Sequence, residues 1–159
     1  MFKKKPEVKV RVMFVDEKND CTSQLAEYYA KQLYPDTYDI YSAGPKHDLV
    51  DCDLISVMYV AGEDMRRQVS KDFKDTDHLR EDDNYDLIVY TEKKTFDEWA
   101  PKTPWQGKQI LADMGSVKDY HPTDDAELGH AYEQLADKVR LWVSENMKDP
   151  EKLRSLVTA

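Results

Sequence analysis

Between Asp16 and Ser23 the chain reads Asp16-Glu17-Lys18-Asn19-Asp20-Cys21-Thr22-Ser23, with three carboxylates, a thiol and two hydroxyls inside one loop. Three chemistries use such groups. A carboxylate can attack phosphorus and form an acyl phosphate, and a thiol can do so as a thiolate. Several carboxylates can hold a hard cation. The elements that position them are an apolar run, Val10 to Val15, that reads as a buried strand, and an amphipathic stretch that reads as a helix from about Ser23. A strand feeding a loop at a helix N-terminus suits an anion, because free N–H groups and the helix dipole point into the loop. Acidic side chains in that place contradict the architecture. A cation fits no better: the helix end opposes it, the spacing is not that of a calcium loop, and no glycine turns the chain there. No metal and no cofactor are expected.

The 159 residues carry 32 acidic against 23 basic side chains, a net charge of −9. A phosphate polyanion or an anionic membrane surface would meet like charge, which argues against nucleic-acid and membrane partners. The basic opening, Lys3 to Lys5, is too short to reverse this and reads as a solubilising terminus. No apolar run follows it, so neither a signal peptide nor a membrane span is expected. Two cysteines, Cys21 and Cys52, suit a cytoplasmic protein with free thiols. Hydrophobic residues are 40 % and charged residues 35 %, yet ten Tyr and three Trp supply a core.

Further along, Tyr38 to Ala43 reads as a second strand ended by Gly44-Pro45, and Leu54 to Ala61 as a short helix. Met65 to Phe73 suggests one more helical turn. Tyr85 to Thr91 contains a continuous apolar run, the mark of a strand covered on both faces. Thr95 and Glu98 have capping-box spacing, predicting a helix that starts there and stops at Pro101. Lys108 to Met114 reads as a fourth strand. Asp124 and Glu127 open the last helix, in which Leu128, Tyr132, Leu135, Val139 and Trp142 share one face as far as about Asn146. The Asp149-Pro150 tail reads as peripheral. Strands alternating with helices predict a three-layer α/β sandwich around a four-stranded parallel sheet of order 2-1-3-4, with the first loop at the switch point. The expected layout is one domain, with a core of about residues 8–147, a basic arm 1–7 and a tail 148–159.

The order of these motifs resembles that of the low-molecular-weight protein tyrosine phosphatases and the related arsenate reductases. Those proteins follow a first strand with Cys-x-Gly-Asn-x-Cys-Arg-Ser-Pro-x-Ala-Glu, and the same frame here runs from Asp16 through Asn19, Cys21 and Ser23 to Ala26-Glu27. Their Ser-Ala-Gly after the second strand is Ser42-Ala43-Gly44, and their acidic loop before the last helix falls at His121-Pro122. The resemblance covers about residues 8–147. It places Asp16 at the nucleophilic Cys, Lys18 at the Gly, Thr22 at the phosphate-holding Arg and His121 at the general acid. Asn19, Ser23 and Ser42 keep family positions that shape the loop, which capping and loop architecture explain without catalysis.

These departures imply a degenerate, catalytically inactive protein that acts by binding or regulation. Phosphate binding is expected to be weak or absent. At an effective dielectric near 20, one like charge about 4 Å from a phosphate opposes it by roughly 4 kcal/mol. In their place Asp16 or Asp20 is expected to accept the loop's own N–H bonds. The enzymatic alternatives are an active phosphatase using Asp16 or Cys21, or an arsenate-reductase-like redox protein using Cys21, whose family partner position holds Asp16. Pairing with Cys52 requires the fold to bring the thiols together. A receiver domain would need an acceptor Asp at the end of the third strand, where Tyr90-Thr91 stand. The four histidines match no zinc spacing, and Trp99, Trp105 and Trp142 read as packing residues. A protein partner is expected, and exposed tyrosines offer it contacts.

Overall fold

A computed structural model describes residues 8–157; the basic opening, Lys3 to Lys5, lies outside them. Four strands form one parallel sheet in the order β2-β1-β3-β4. They are β1 (Val10–Val15), β2 (Tyr38–Ala43), β3 (Asn84–Tyr90) and β4 (Gln106–Leu111). The central pair is in register from Val12 opposite Leu87 to Val15 opposite Tyr90. Among the described residues five α-helices accompany them: α1 (Thr22–Leu33), α2 (Cys52–Val60), α3 (Lys93–Trp99), α4 (Asp125–Asn146) and α5 (Pro150–Arg154).

Alternation along the strands divides the core in two. Val12, Phe14, Ile40, Leu87, Val89 and Ile110 face a cluster with Leu25, Leu54, Leu135 and Val139 from α1, α2 and α4. Met13, Val15, Ile88 and Tyr90 face the other way, toward Leu79 and Trp105. Phe96 of α3 packs edge-on against Tyr90 there, so helices cover both faces. Trp105 is buried, stacking edge-on with Phe73 and Tyr85, and Trp142 meets Phe14 edge-on.

Several boundaries differ from expectation, each for a local reason. Helix α2 starts at Cys52 because the Asp51 side chain accepts the N–H groups of Asp53 (3.0 Å) and Leu54 (3.4 Å). The predicted capping box at Thr95 is not used. The Phe96 N–H already donates to the Glu92 carbonyl at 3.1 Å, and Thr95 is a buried interior residue of α3. Strand β4 begins at Gln106, whose N–H reaches the Asp83 carbonyl at 2.9 Å. The segment 65–73 makes no helix and ends in a bridge between Gly44 and Asp72. The tail is not peripheral. Asp149 caps α5, Pro150 takes its first turn, and Leu153 is fully buried in the main core. An Asp-Pro pair is as good a helix start as it is a stop. Nor do the tyrosines form a surface: Tyr29, Tyr38, Tyr85, Tyr90 and Tyr132 are buried, whereas Tyr59 is exposed.

Candidate functional site: a loop filled by its own carboxylate

The loop leaves β1 at Val15 and enters α1 at Thr22, at the carboxyl edge of the sheet. Asp16 is 2 % exposed. Its Oδ2 accepts the Ser23 N–H at 2.8 Å, so the first turn of α1 donates to a side chain of the same loop. The amides of Asn19 and Asp20 face the carboxylate more loosely, and Oδ1 is buried with no partner in hydrogen-bond geometry. Burial outweighs these donors and raises the Asp16 carboxyl above its usual range.

Asn19 holds the loop in shape. It takes a left-handed conformation (φ 49°), which Asn tolerates better than most residues. Its Nδ2 donates to Ser23 Oγ at 2.8 Å, and its Oδ1 accepts from Gln24 Nε2 and from the Lys71 N–H, both at 2.9 Å. Ser70 Oγ donates to the Lys18 carbonyl at 2.7 Å. Gly44 passes so close that a Cβ there would lie 2.5 Å from the Asp16 carbonyl oxygen. Lys18 itself is exposed.

The other candidates do not all gather at Asp16. Asp20, Cys21 and Glu17 stay beside Asp16. Burial, then Asp16 and Asp51, pushes Asp20 up to about 6. Cys21 sits at the N-cap of α1, where a thiolate would ordinarily be favoured, yet burial and four carboxylates push its thiol well above the usual value. Thr22 is buried and spends its hydroxyl on the Gly115 carbonyl at 2.8 Å. His121 is exposed at the end of a short 3-10 turn (Val117–Tyr120), and among the described residues no hydrogen bond or ion pair links it to the loop. Cys21 and Cys52 are free thiols, and Cys52 is exposed. Ser42 lies elsewhere, donating to Glu27 Oε1 at 3.1 Å.

Two acids escaped the sequence reading. Glu92 follows β3, and burial with Asp16, Glu17 and Asp20 pushes it up to about 7. Its place just past the carboxyl end of a parallel strand was the available signal. Asp51 accepts a hydrogen bond from the buried Tyr132 hydroxyl, and its N–H donates to the Asp20 carbonyl at 2.9 Å. Among the described residues no group of His, Cys, Asp and Glu is arranged to hold a metal ion.

No family model matches the chain. The arsenate reductase of Bacillus subtilis (strain 168) is 36 % identical over 78 residues, which are 49 % of this chain and 53 % of that protein. The arsenate reductase of Bacillus licheniformis is 35 % identical over 81 residues, 51 % of this chain and 55 % of that protein. The chain thus spans about half the length of the curated relatives it matches. Among solved structures, the tyrosine phosphatase amsI of Erwinia amylovora superposes with a TM-score of 0.61 at 23 % identity, covering 87 % of this chain and 93 % of the other. The fold is that of the low-molecular-weight tyrosine phosphatases and arsenate reductases. An arsenate reductase in a phosphate-binding state has a TM-score of 0.56 at 22 % identity, with 86 % and 95 % covered. The YwlE arginine phosphatase, in a mutant with a phosphorylated active-site serine, has 0.60 at 15 %, with 90 % and 99 % covered. Within this phosphatase-like fold, the loop after β1 carries Asp16, Lys18 and Thr22. Among the described residues no helix is long and apolar enough to cross a membrane.

Proposed function

We propose that this chain is a catalytically silent relative of the phosphatases and arsenate reductases, and that it acts by binding or regulating a protein partner. The observation that carries this reading is the buried Asp16 carboxylate accepting the Ser23 N–H at 2.8 Å. A helix N-terminus that would greet an incoming oxyanion is engaged by a side chain of its own loop. A phosphate entering the loop would displace Asp16 and face Asp20 and Glu92. No Arg stands at position 22 to repay that repulsion. Cys21 is a poor substitute nucleophile, because its thiol is held protonated by burial and by the same carboxylates.

The test measures p-nitrophenyl phosphate hydrolysis and thioredoxin-coupled arsenate reduction with the purified chain. Neither is expected to exceed buffer. Turnover abolished by Cys21→Ser would overturn the reading in favour of a thiol enzyme, and turnover abolished by Asp16→Asn in favour of an aspartyl one. The Asp16→Cys, Thr22→Arg, His121→Asp triple variant is the constructive arm, and weak phosphatase activity in it is the expected result.

A further inference from the structure

Away from the loop, a cavity of about 530 Å³ opens between β2, α1 and the segment that carries Arg67, Val69 and Lys71. That volume lies within the range of small-molecule sites. Its carboxylates are already engaged. Glu27 Oε1 receives Lys71 Nζ at 3.2 Å, Ser42 Oγ at 3.1 Å and, more distantly, Lys31 Nζ at 3.9 Å. Asp64 is held by the Arg66 guanidinium through two bonds of 2.9 Å, and Asp39 accepts from the Tyr41 hydroxyl at 3.0 Å. Of its cations, Lys31 shares Glu27 and His78 meets Asp75 at 3.1 Å, but Lys71 and Arg67 keep donors to spare. Lys71 is 5 % exposed, and its ammonium has three protons but one acceptor, Glu27. Arg67, also on the cavity wall, is exposed and forms no hydrogen bond or ion pair among the described residues. In a chain of net charge −9, the unused capacity of this cavity is cationic.

We propose that this cavity binds a small organic monocarboxylate, its carboxylate between Arg67 and Lys71 and its apolar body against Ile40 and Val69. The planar guanidinium fork of Arg67 matches a carboxylate in bidentate geometry. A single negative charge suits the site better than two, because Glu27 remains beside Lys71 and repels a phosphate dianion more strongly. The same segment braces the loop from its other side. The Lys71 N–H donates to Asn19 Oδ1 and the Val69 carbonyl accepts from Gln24 Nε2, each at 2.9 Å. The cavity wall is therefore tied to the loop directly at Asn19 and indirectly through Gln24, which also donates to Asn19 Oδ1 at 2.9 Å.

The inference stands apart from the silence of the loop, and its test is separate. The full chain, labelled with nitrogen-15, is titrated with phenylacetate and, in parallel, with phenyl phosphate while amide shifts are followed. Saturable phenylacetate shifts are expected at Ser42, Val69 and Lys71, carried on to Asn19. Arg67→Gln, a change at an exposed residue, is expected to weaken phenylacetate at least fivefold, and phenyl phosphate is expected to bind at least fivefold more weakly than phenylacetate. Absence of saturable shifts, shifts that Arg67→Gln leaves unchanged, or equal affinity for the two probes would overturn the proposal. None of these outcomes touches the hydrolysis assays.

Discussion

Two buried carboxylates sit on the same strand–helix unit and are neutralised in opposite ways. Glu27, 5 % exposed in α1, has a buried ammonium at 3.2 Å and a hydroxyl at 3.1 Å. Asp16, 2 % exposed one loop earlier, has a backbone N–H at 2.8 Å, one oxygen without a partner, and other acids for neighbours. A buried charge needs either a counter-ion or a proton. Glu27 has the first. Asp16 leans toward the second, and its burden spreads to Asp20 and Glu92, whose affinities for protons rise with it. The difference teaches that the loop around Asp16 is the less settled of the two polar interiors.

The most severe way to break the contrast is to remove the counter-ion of Glu27. Lys71→Met should cost about 3–5 kcal/mol, since it leaves a buried charge with Ser42 and a distant Lys31. Adding Glu27→Leu should restore most of that loss. Denaturant unfolding of both variants measures it, and a double variant as unstable as the single one would show that Lys71 matters for packing rather than for charge. Next in size is Gly44→Ala. The new Cβ meets the Asp16 and Glu17 carbonyls at 2.5 and 2.8 Å, both backbone atoms that cannot swing away. A loss of roughly 2–3 kcal/mol is expected from forcing the loop off β2, and an unchanged melting curve would contradict the tight approach.

The loop acids should sharpen the contrast through pH. Asp16 is raised, Asp20 reaches about 6 and Glu92 about 7. Their unfolded values lie near 4, so the folded state holds the extra protons. Their contribution is therefore fully present below about pH 4 and is lost as the pH rises through 6 and 7. Asp64 and Asp82, lowered to about 2 by Arg66 and Arg80, act in the opposite sense but in a separate window below pH 4. Glu92→Gln should thus stabilise the chain at pH 8 by about 1–2 kcal/mol, a value reduced for partial solvent screening, and the gain should vanish near pH 4. Unfolding free energies at the two pH values check this; a gain of equal size at both would point to packing.

Much of the fold was legible because β1, the apolar run of β3 and the face of α4 carry clear periodicity. The sheet order followed from strand–helix alternation, since crossover rules leave few topologies. What escaped was long-range. Lys71 reads as one charge in a polar segment, and nothing local says that Glu27, 44 residues earlier, draws it inside. Glu92 lies two residues past the end of β3, and only the fold brings it within reach of the charges of Asp16, Glu17 and Asp20. Leu153 lay beyond an Asp-Pro pair that marks a helix start as well as a stop. In the loop itself, residue identities at Asp16 and Thr22 were visible at once. Their partners, the Ser23 N–H and the Gly115 carbonyl, required the fold.

The smallest effect, a rate rather than an energy, separates the two thiols. A cysteine at a helix N-cap normally gains thiolate character from the dipole and the free N–H groups. At Cys21 the N–H of Ser23 is already given to Asp16, and Asp16, Asp51, Asp20 and Glu92 all oppose a second negative charge. Cys52 is exposed to solvent. Iodoacetamide at pH 8, followed by mass spectrometry of the peptides, should label Cys52 at least tenfold faster than Cys21. Asp16→Asn removes the largest of the opposing charges while keeping an acceptor for Ser23, so it should speed Cys21 several-fold and leave Cys52 unchanged. If Cys21 proves as slow in the variant, burial alone silences it. If it is the faster thiol in the unaltered chain, the loop still activates a nucleophile, and the contrast between a settled Glu27 and a self-opposed Asp16 fails where it matters most.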